Sequence, residues 1–205
     1  MSELFNMNNG FFRIISKAVD CVFVSLLWIV GCIPIVTIGA STTALYYTVH
    51  KSICEDNGYV FRDFKNSFLS NFKQSTIAWI LLAFVGGFLG VDGYMTYHMK
   101  KAGDSVGNVY YVILVLIVLL AIVFTYVFSY ISRFRDGIKT IFKNVIFIGL
   151  GNLLPTILML ITLAIAAYVV YVLPVLIVIA PALYMLGIEQ LTERVYKRYI
   201  PQEEA

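Results

Sequence analysis

"IPIVTIGASTTALYY", residues 33–47, falls where the first apolar run of the chain should be leaving a membrane, and its reading decides the fold. Pro34, Thr37, Gly39 and the small polar cluster Ser41, Thr42 and Thr43 interrupt an otherwise apolar stretch. It is the mouth of an ordinary helix, a tight turn between two helices, or a site.

Composition sets the class first. The chain has 205 residues, 60% of them hydrophobic and 13% charged, with a mean hydropathy of +0.85. Soluble domains average roughly 45–50% apolar and about 25% charged residues. The apolar excess is too large for a core of this size and must face lipid. The net charge of +3 is mild and points to no nucleic-acid partner. Cys21, Cys32 and Cys54 lack paired spacing, so neither a disulfide framework nor a zinc site follows, and they are read as small apolar fillers. Arg13 and Lys17 before an apolar run resemble a signal peptide. Because "IPIVTIG" follows Cys32 where a polar tether would be needed, an uncleaved first helix is expected.

A crossing needs about 20 apolar residues at 1.5 Å each. Segments near 14–36, 75–97, 109–133, 145–170 and 172–196 qualify, the last with Pro174 near its start and Pro181 inside. Charge then decides 39–55. A first helix that ends at 38 without turning back divides the 15 Lys and Arg 11 against 4; a reversal at 33–40 divides them 13 against 2, leaving only Lys100 and Lys101 outside. The positive-inside rule favours the reversal. Tyr94, Tyr97, Tyr110 and Tyr111 around the 98–108 loop agree as an outer aromatic belt. The expected fold is therefore an all-α, polytopic membrane domain of six segments, with both termini cytoplasmic. Its first two segments form a hairpin with a re-entrant turn. From Gly39 to Lys51 the returning arm is only about 18 Å long, so the turn is expected to be buried. Thr37, Ser41 or Thr42 is expected to cap the returning helix. The small residues permit close packing, while the helix start is also suited to an anion or a polar oxygen.

"FRDFKNSFLSN" (61–71) and "FRDGIKTIFKN" (134–144) echo each other at a spacing of 73 residues. Both read as amphipathic connecting helices, 60–73 and 134–144, at the cytoplasmic face, and the echo suggests an internal duplication. Phe61, Arg62, Asp63 and Lys65, with Phe134, Arg135, Asp136 and Lys139, are candidates for anchoring on membrane lipid or docking a partner. Duplicated membrane folds often hold a cavity between the repeats. Pro34, Thr37, Gly39, Ser41, Thr42, Thr43, Asp92 and Asn152 are the candidate walls. Asp92 is an ionisable residue in a span, or already lies in the headgroup layer. Asn152 beside Pro155 serves backbone repair or a cavity. His50 is expected at the inner interface beside Lys51, and Glu189 and Glu193 at a solvated helix end, with Glu193 in reach of Lys197. No metal-binding, phosphate-loop or nucleophile motif occurs, so no catalytic residue, metal or cofactor is expected, and an enzyme is not.

"GFFRIISK" (10–17), "SLLW" (25–28), "CIPIVTIGASTTALYYTVHK" (32–51) and "GYVFRDFKNSFLSNFKQSTIAW" (58–79) resemble the YesL family of bacterial integral membrane proteins, built on a domain of unknown function. The most specific match is Pro34 to Tyr47. The resemblance implies the bacterial cytoplasmic membrane and a neighbourhood of carbohydrate ABC importers. That makes permease subunits of such an importer the expected partners, with a non-enzymatic accessory or scaffold role in uptake. The alternative is a small autonomous transporter or channel with a polar cavity between the repeated helix pairs.

Overall fold

The computed structural model of the chain describes residues 10–56, 59–102 and 105–199. The described residues form seven α-helices and no strand: α1 Gly10–Cys32, α2 Ile38–Thr48, α3 Val60–Lys101, α4 Val109–Arg133, α5 Ile138–Gly151, α6 Leu153–Val172 and α7 Ala180–Tyr196. Four of them, α1, α3, α4 and α6, are long and apolar enough to cross a membrane. The exposed apolar surface of α3 and α4, including Phe84, Phe88, Val91, Val112 and Val115, far exceeds what a soluble monomer leaves bare. The fold is that of a helical membrane protein.

Two of the expected segments are divided. Residues 172–196 divide at Pro174, which opens a 3-10 turn, Pro174–Val178, before α7 begins. Leu173, just before the proline, is pushed out of the helical region to φ −128°, ψ 81°. The expected span 145–170 likewise divides at Asn152 (φ −128°, ψ 58°) into α5 and α6. Pro155 then falls in the first turn of α6, where its missing N–H removes no helical bond.

The stretch 33–47 does reverse the chain. Pro34 is extended, a 3-10 turn covers Ile35–Thr37, and α2 follows at once. The Lys17 ammonium donates to the Ile53 carbonyl at 2.7 Å, and the Trp28 indole donates to Thr42 Oγ1 at 3.2 Å, so α1 and α2 run antiparallel. The turn is not buried as expected: Ile33, Pro34, Ile35 and Val36 are exposed, and it meets the middle of α3 where the Trp79 indole donates to the Ile35 carbonyl at 2.8 Å. Beyond Trp79, α3 continues 22 residues to Lys101, about 33 Å at 1.5 Å per residue. The hairpin thus stops well short of the far end of α3.

Apolar and small residues surround α2 on every side, the pattern of an enclosed helix. Ala40, Ala44, Leu45 and Tyr46 are buried, and α2 packs against α1, α3, α4 and α7. At Gly39 an added Cβ would lie 2.4 Å from the Ser75 carbonyl oxygen, so only glycine lets α2 and α3 approach this closely. α2 ends in a π-helical turn, Val49–Cys54.

The connecting segments differ from expectation. Residues 60–73 and 75–97 form one uninterrupted helix, since no proline or glycine occurs between Val60 and Val85. In the second copy of the echo, residues 134–137 are not helical and α5 starts at Ile138. Among the mismatches between the copies, buried Phe64 in the first corresponds to Gly137 in the second, which is extended at φ −69°, ψ 152° immediately before α5.

Candidate functional site

The turn residues are tied up locally. Thr37 Oγ1 donates to the carbonyls of Gly31 (2.6 Å) and Pro34 (2.7 Å). The expected capping of α2 by Thr37, Ser41 or Thr42 therefore does not occur: the Thr37 hydroxyl closes the carbonyl end of α1 and leaves the amide end of α2 uncapped. Carbonyls are the orphan groups at a helix C-terminus, and the turn brings Thr37 back beneath them. Thr42 Oγ1 donates to the Ile38 carbonyl at 2.8 Å. Ser41 Oγ is buried against Gly31 without a hydrogen-bond partner. Thr43 and Ser75 join their hydroxyls at 2.8 Å, both fully buried, and so bond α2 to α3. Thr43→Val strands the Ser75 hydroxyl and should cost about 1–3 kcal/mol. A thermal scan of the detergent-purified protein should show the loss, with Thr43→Ser recovering most of it.

Asp92 and Asn152 lie elsewhere. Asp92 is half-buried on the second half of α3, and its backbone carbonyl accepts from Thr96 Oγ1 at 2.7 Å. Asn152 is buried at the α5–α6 break. Its Nδ2 donates to the Ile148 carbonyl and to Tyr199 Oη, each at 3.0 Å, while its Oδ1 accepts from Arg198 at 3.2 Å. That is the bonding of a helix-break repair.

The densest chemistry lies where the π-helical turn, α4 and α7 meet. His50 Nδ1 donates to Glu189 Oε1 at 2.8 Å and is 3.8 Å from Glu193 Oε1. His50 Nε2 faces Glu55 Oε1 at 3.1 Å, without the alignment of a hydrogen bond. Tyr46 Oη donates to Glu193 Oε1 at 3.0 Å, and Arg133 Nη2 donates to Glu193 Oε2 at 3.0 Å. Glu189 and Glu193 are only 8% and 6% exposed, which corrects the solvated helix end expected for them. His50 is likewise buried within the protein, against Glu189. Lys197 meets Glu193 through its backbone N–H instead of its ammonium. The sequence carried a signal for this: Ala182, Met185, Ile188, Thr192 and Val195 form a buried helical stripe into which both glutamates fall. A buried carboxylate is tolerated when it is paired and hydrogen-bonded, and here each bond ties α7 to another element.

The network extends on both sides. Asp63, 2% exposed, accepts from Lys51 Nζ at 3.3 Å and Ser52 Oγ at 3.0 Å, fixing the π-helical turn to the start of α3. Tyr196 Oη and Ser129 Oγ lie 2.8 Å apart, and Tyr126 Oη and Thr156 Oγ1 3.1 Å apart, joining α7 and α6 to α4. Among the described residues no cluster of three or more His, Cys, Asp or Glu is arranged to hold a metal ion.

Beside this network lies a polar groove of about 550 Å³ between the first half of α3 and the α4–α5 junction. Asn66, Ser70 and Gln74 form one wall, and Arg133, Arg135 and Asp136 the other. Both halves of the sequence echo thus face one another across it. The eight candidate docking residues divide. Phe61, Arg62, Lys65, Arg135 and Lys139 point outward, with Arg62 stacked 4.9 Å over the Tyr59 ring. Asp63 is buried, Phe134 stacks on Tyr130 at 4.5 Å, and Asp136 accepts from Tyr130 Oη at 2.5 Å.

No curated protein and no solved structure matches the chain. Residues 21–93 match the family model described as "Protein of unknown function, DUF624", a stretch that holds the hairpin turn, the enclosed helix α2 and the first four-fifths of α3.

Proposed function

We propose that the chain is a non-enzymatic accessory or scaffold subunit of carbohydrate uptake, held in the bacterial cytoplasmic membrane and working through permease subunits of an ABC-type importer. The carbohydrate setting rests on the resemblance to the YesL family. What supports a scaffold over a transporter is the use made of the buried polar side chains. Thr37, Thr42, Thr43, Asn152, Glu189 and Glu193 each bond helix to helix or close a helix end, Thr42 by accepting from Trp28. Outward cations, Arg62, Lys65, Arg135 and Lys139, gather at the end of the fold near that network and offer a docking face. Pull-down from native membranes should recover permease subunits, and deletion should reduce uptake. The purified protein alone should move no sugar across liposomes; flux abolished by Asp92→Asn or Thr42→Val would favour the transporter instead.

The same reading keeps six membrane segments, α2 with its π-helical turn and α7 completing the four long helices, and both termini cytoplasmic. In a cysteine-free background, Asn8→Cys should resist an impermeant maleimide in intact cells, whereas Lys101→Cys should react. Labelling at position 8 would overturn the hairpin topology.

A further inference from the structure

The groove between α3 and the α4–α5 junction takes in Arg135, one of the outward cations named above, together with Arg133. Arg135 is exposed and makes no hydrogen bond or ion pair among the described residues. Arg133 has one guanidinium nitrogen on Glu193 and keeps about a third of its side chain exposed. The acidic side chain in the lining, Asp136, is already engaged by Tyr130 Oη. The opposite wall is neutral: Asn66 has no partner among the described residues, Ser70 donates to the Ser67 carbonyl, and Gln74 reaches across to the Asp136 carbonyl. α5 starts just beyond Asp136 with no capping side chain and no acidic residue in its first turn, so its free N–H groups add positive potential at that end.

Two arginines and one carboxylate on one wall, with Arg135 unpaired among the described residues, face amides and hydroxyls on the other, which fits a ligand with one negative charge and hydroxyls. We infer that this groove binds a hydroxylated phosphodiester, of the kind carried by a phosphatidylglycerol headgroup. Arginine suits the phosphate because its planar fork donates to two oxygens at once. Asn66, Ser70 and Gln74 suit the glycerol hydroxyls, and the volume lies within the usual range for ligand sites. Leu69 and Phe72, on neighbouring faces of α3, are exposed apolar side chains, and the lipid and solute arms of the experiment separate a membrane source from a free phosphodiester. This inference does not depend on any partner in sugar uptake.

The full-length protein can be placed in nanodiscs of phosphatidylcholine, or of an equal mixture with phosphatidylglycerol, and retained lipid counted by native mass spectrometry. The wild type should retain phosphatidylglycerol over phosphatidylcholine, and Arg135→Gln with Asn66→Ala should weaken that preference at least about tenfold. Lys139→Gln, an equal loss of charge outside the groove lining, should leave it intact. Competition by soluble glycerophosphoglycerol at low concentration would keep the site and move its source from lipid to solute. Equal retention of the two lipids with no binding of the solute, or an equal loss in Lys139→Gln and Arg135→Gln, would overturn the site.

Discussion

Glu193→Ala should lower the unfolding midpoint of the detergent-purified protein by about 10 °C. The carboxylate is 6% exposed and serves three groups: Tyr46 Oη, Arg133 Nη2 and, at longer range, His50 Nδ1. Its removal leaves the buried Tyr46 hydroxyl without its acceptor and takes a charged bond from the partly exposed Arg133, together costing about 3 kcal/mol. For a chain of this size each kcal/mol moves the midpoint by about 2–4 °C. Arg194→Ala, one residue along on the exposed side of α7, should change it little. Adding Arg133→Ala to Glu193→Ala should cost less than the two single changes summed, since the stranded cation is then gone. An effect of Glu193→Ala no larger than that of Arg194→Ala would mean that the network does not hold the helices together.

Gly39→Ala should damage the fold comparably through sterics alone. The new Cβ would lie 2.4 Å from the Ser75 carbonyl oxygen, 2.7 Å from Trp79 Cβ and 3.0 Å from Phe128 Cε1. The nearest of these is backbone, which cannot rotate aside, so α2 must move away from α3. Overpacking of this kind costs about 1–3 kcal/mol and occasionally more. The movement would also stretch the Thr43–Ser75 bond and the Trp79 bond to Ile35. The measurements are the unfolding midpoint and Trp79 fluorescence with Trp28 replaced by Phe. Gly87→Ala, where nothing lies within 4 Å of the new methyl, should be neutral or slightly stabilising.

The reversal near Pro34 was legible because three signals coincide there: a proline, a run of small residues and a charge division that only a turn makes one-sided. The lipid-facing helices were legible from composition. The breaks at Leu173 and Asn152 were less so. A proline within an apolar run shows that a break is permitted, while its place depends on which residue the packing can hold outside the helical region. The continuity of α3 was missed because its first half is amphipathic and its second uniformly apolar, which reads as two elements although the backbone has no reason to stop. Glu189 and Glu193 were misplaced for another reason. Local patterning assigns charges near a helix exit to water, and only the convergence of α2, α4 and α7, over separations of 139 and 60 residues, supplies their partners.

One further consequence follows from the length of α3. At 42 residues it is a rod of about 63 Å, roughly twice the thickness of the hydrocarbon layer. Asp63 bolts it near one end, Trp79 clamps it near the middle, and no kink absorbs bending between them. Held at two points about 24 Å apart, the rod keeps one direction and carries the Lys101 tip about 33 Å beyond the second of them. A load applied at one membrane face would in this way be felt at the other as leverage.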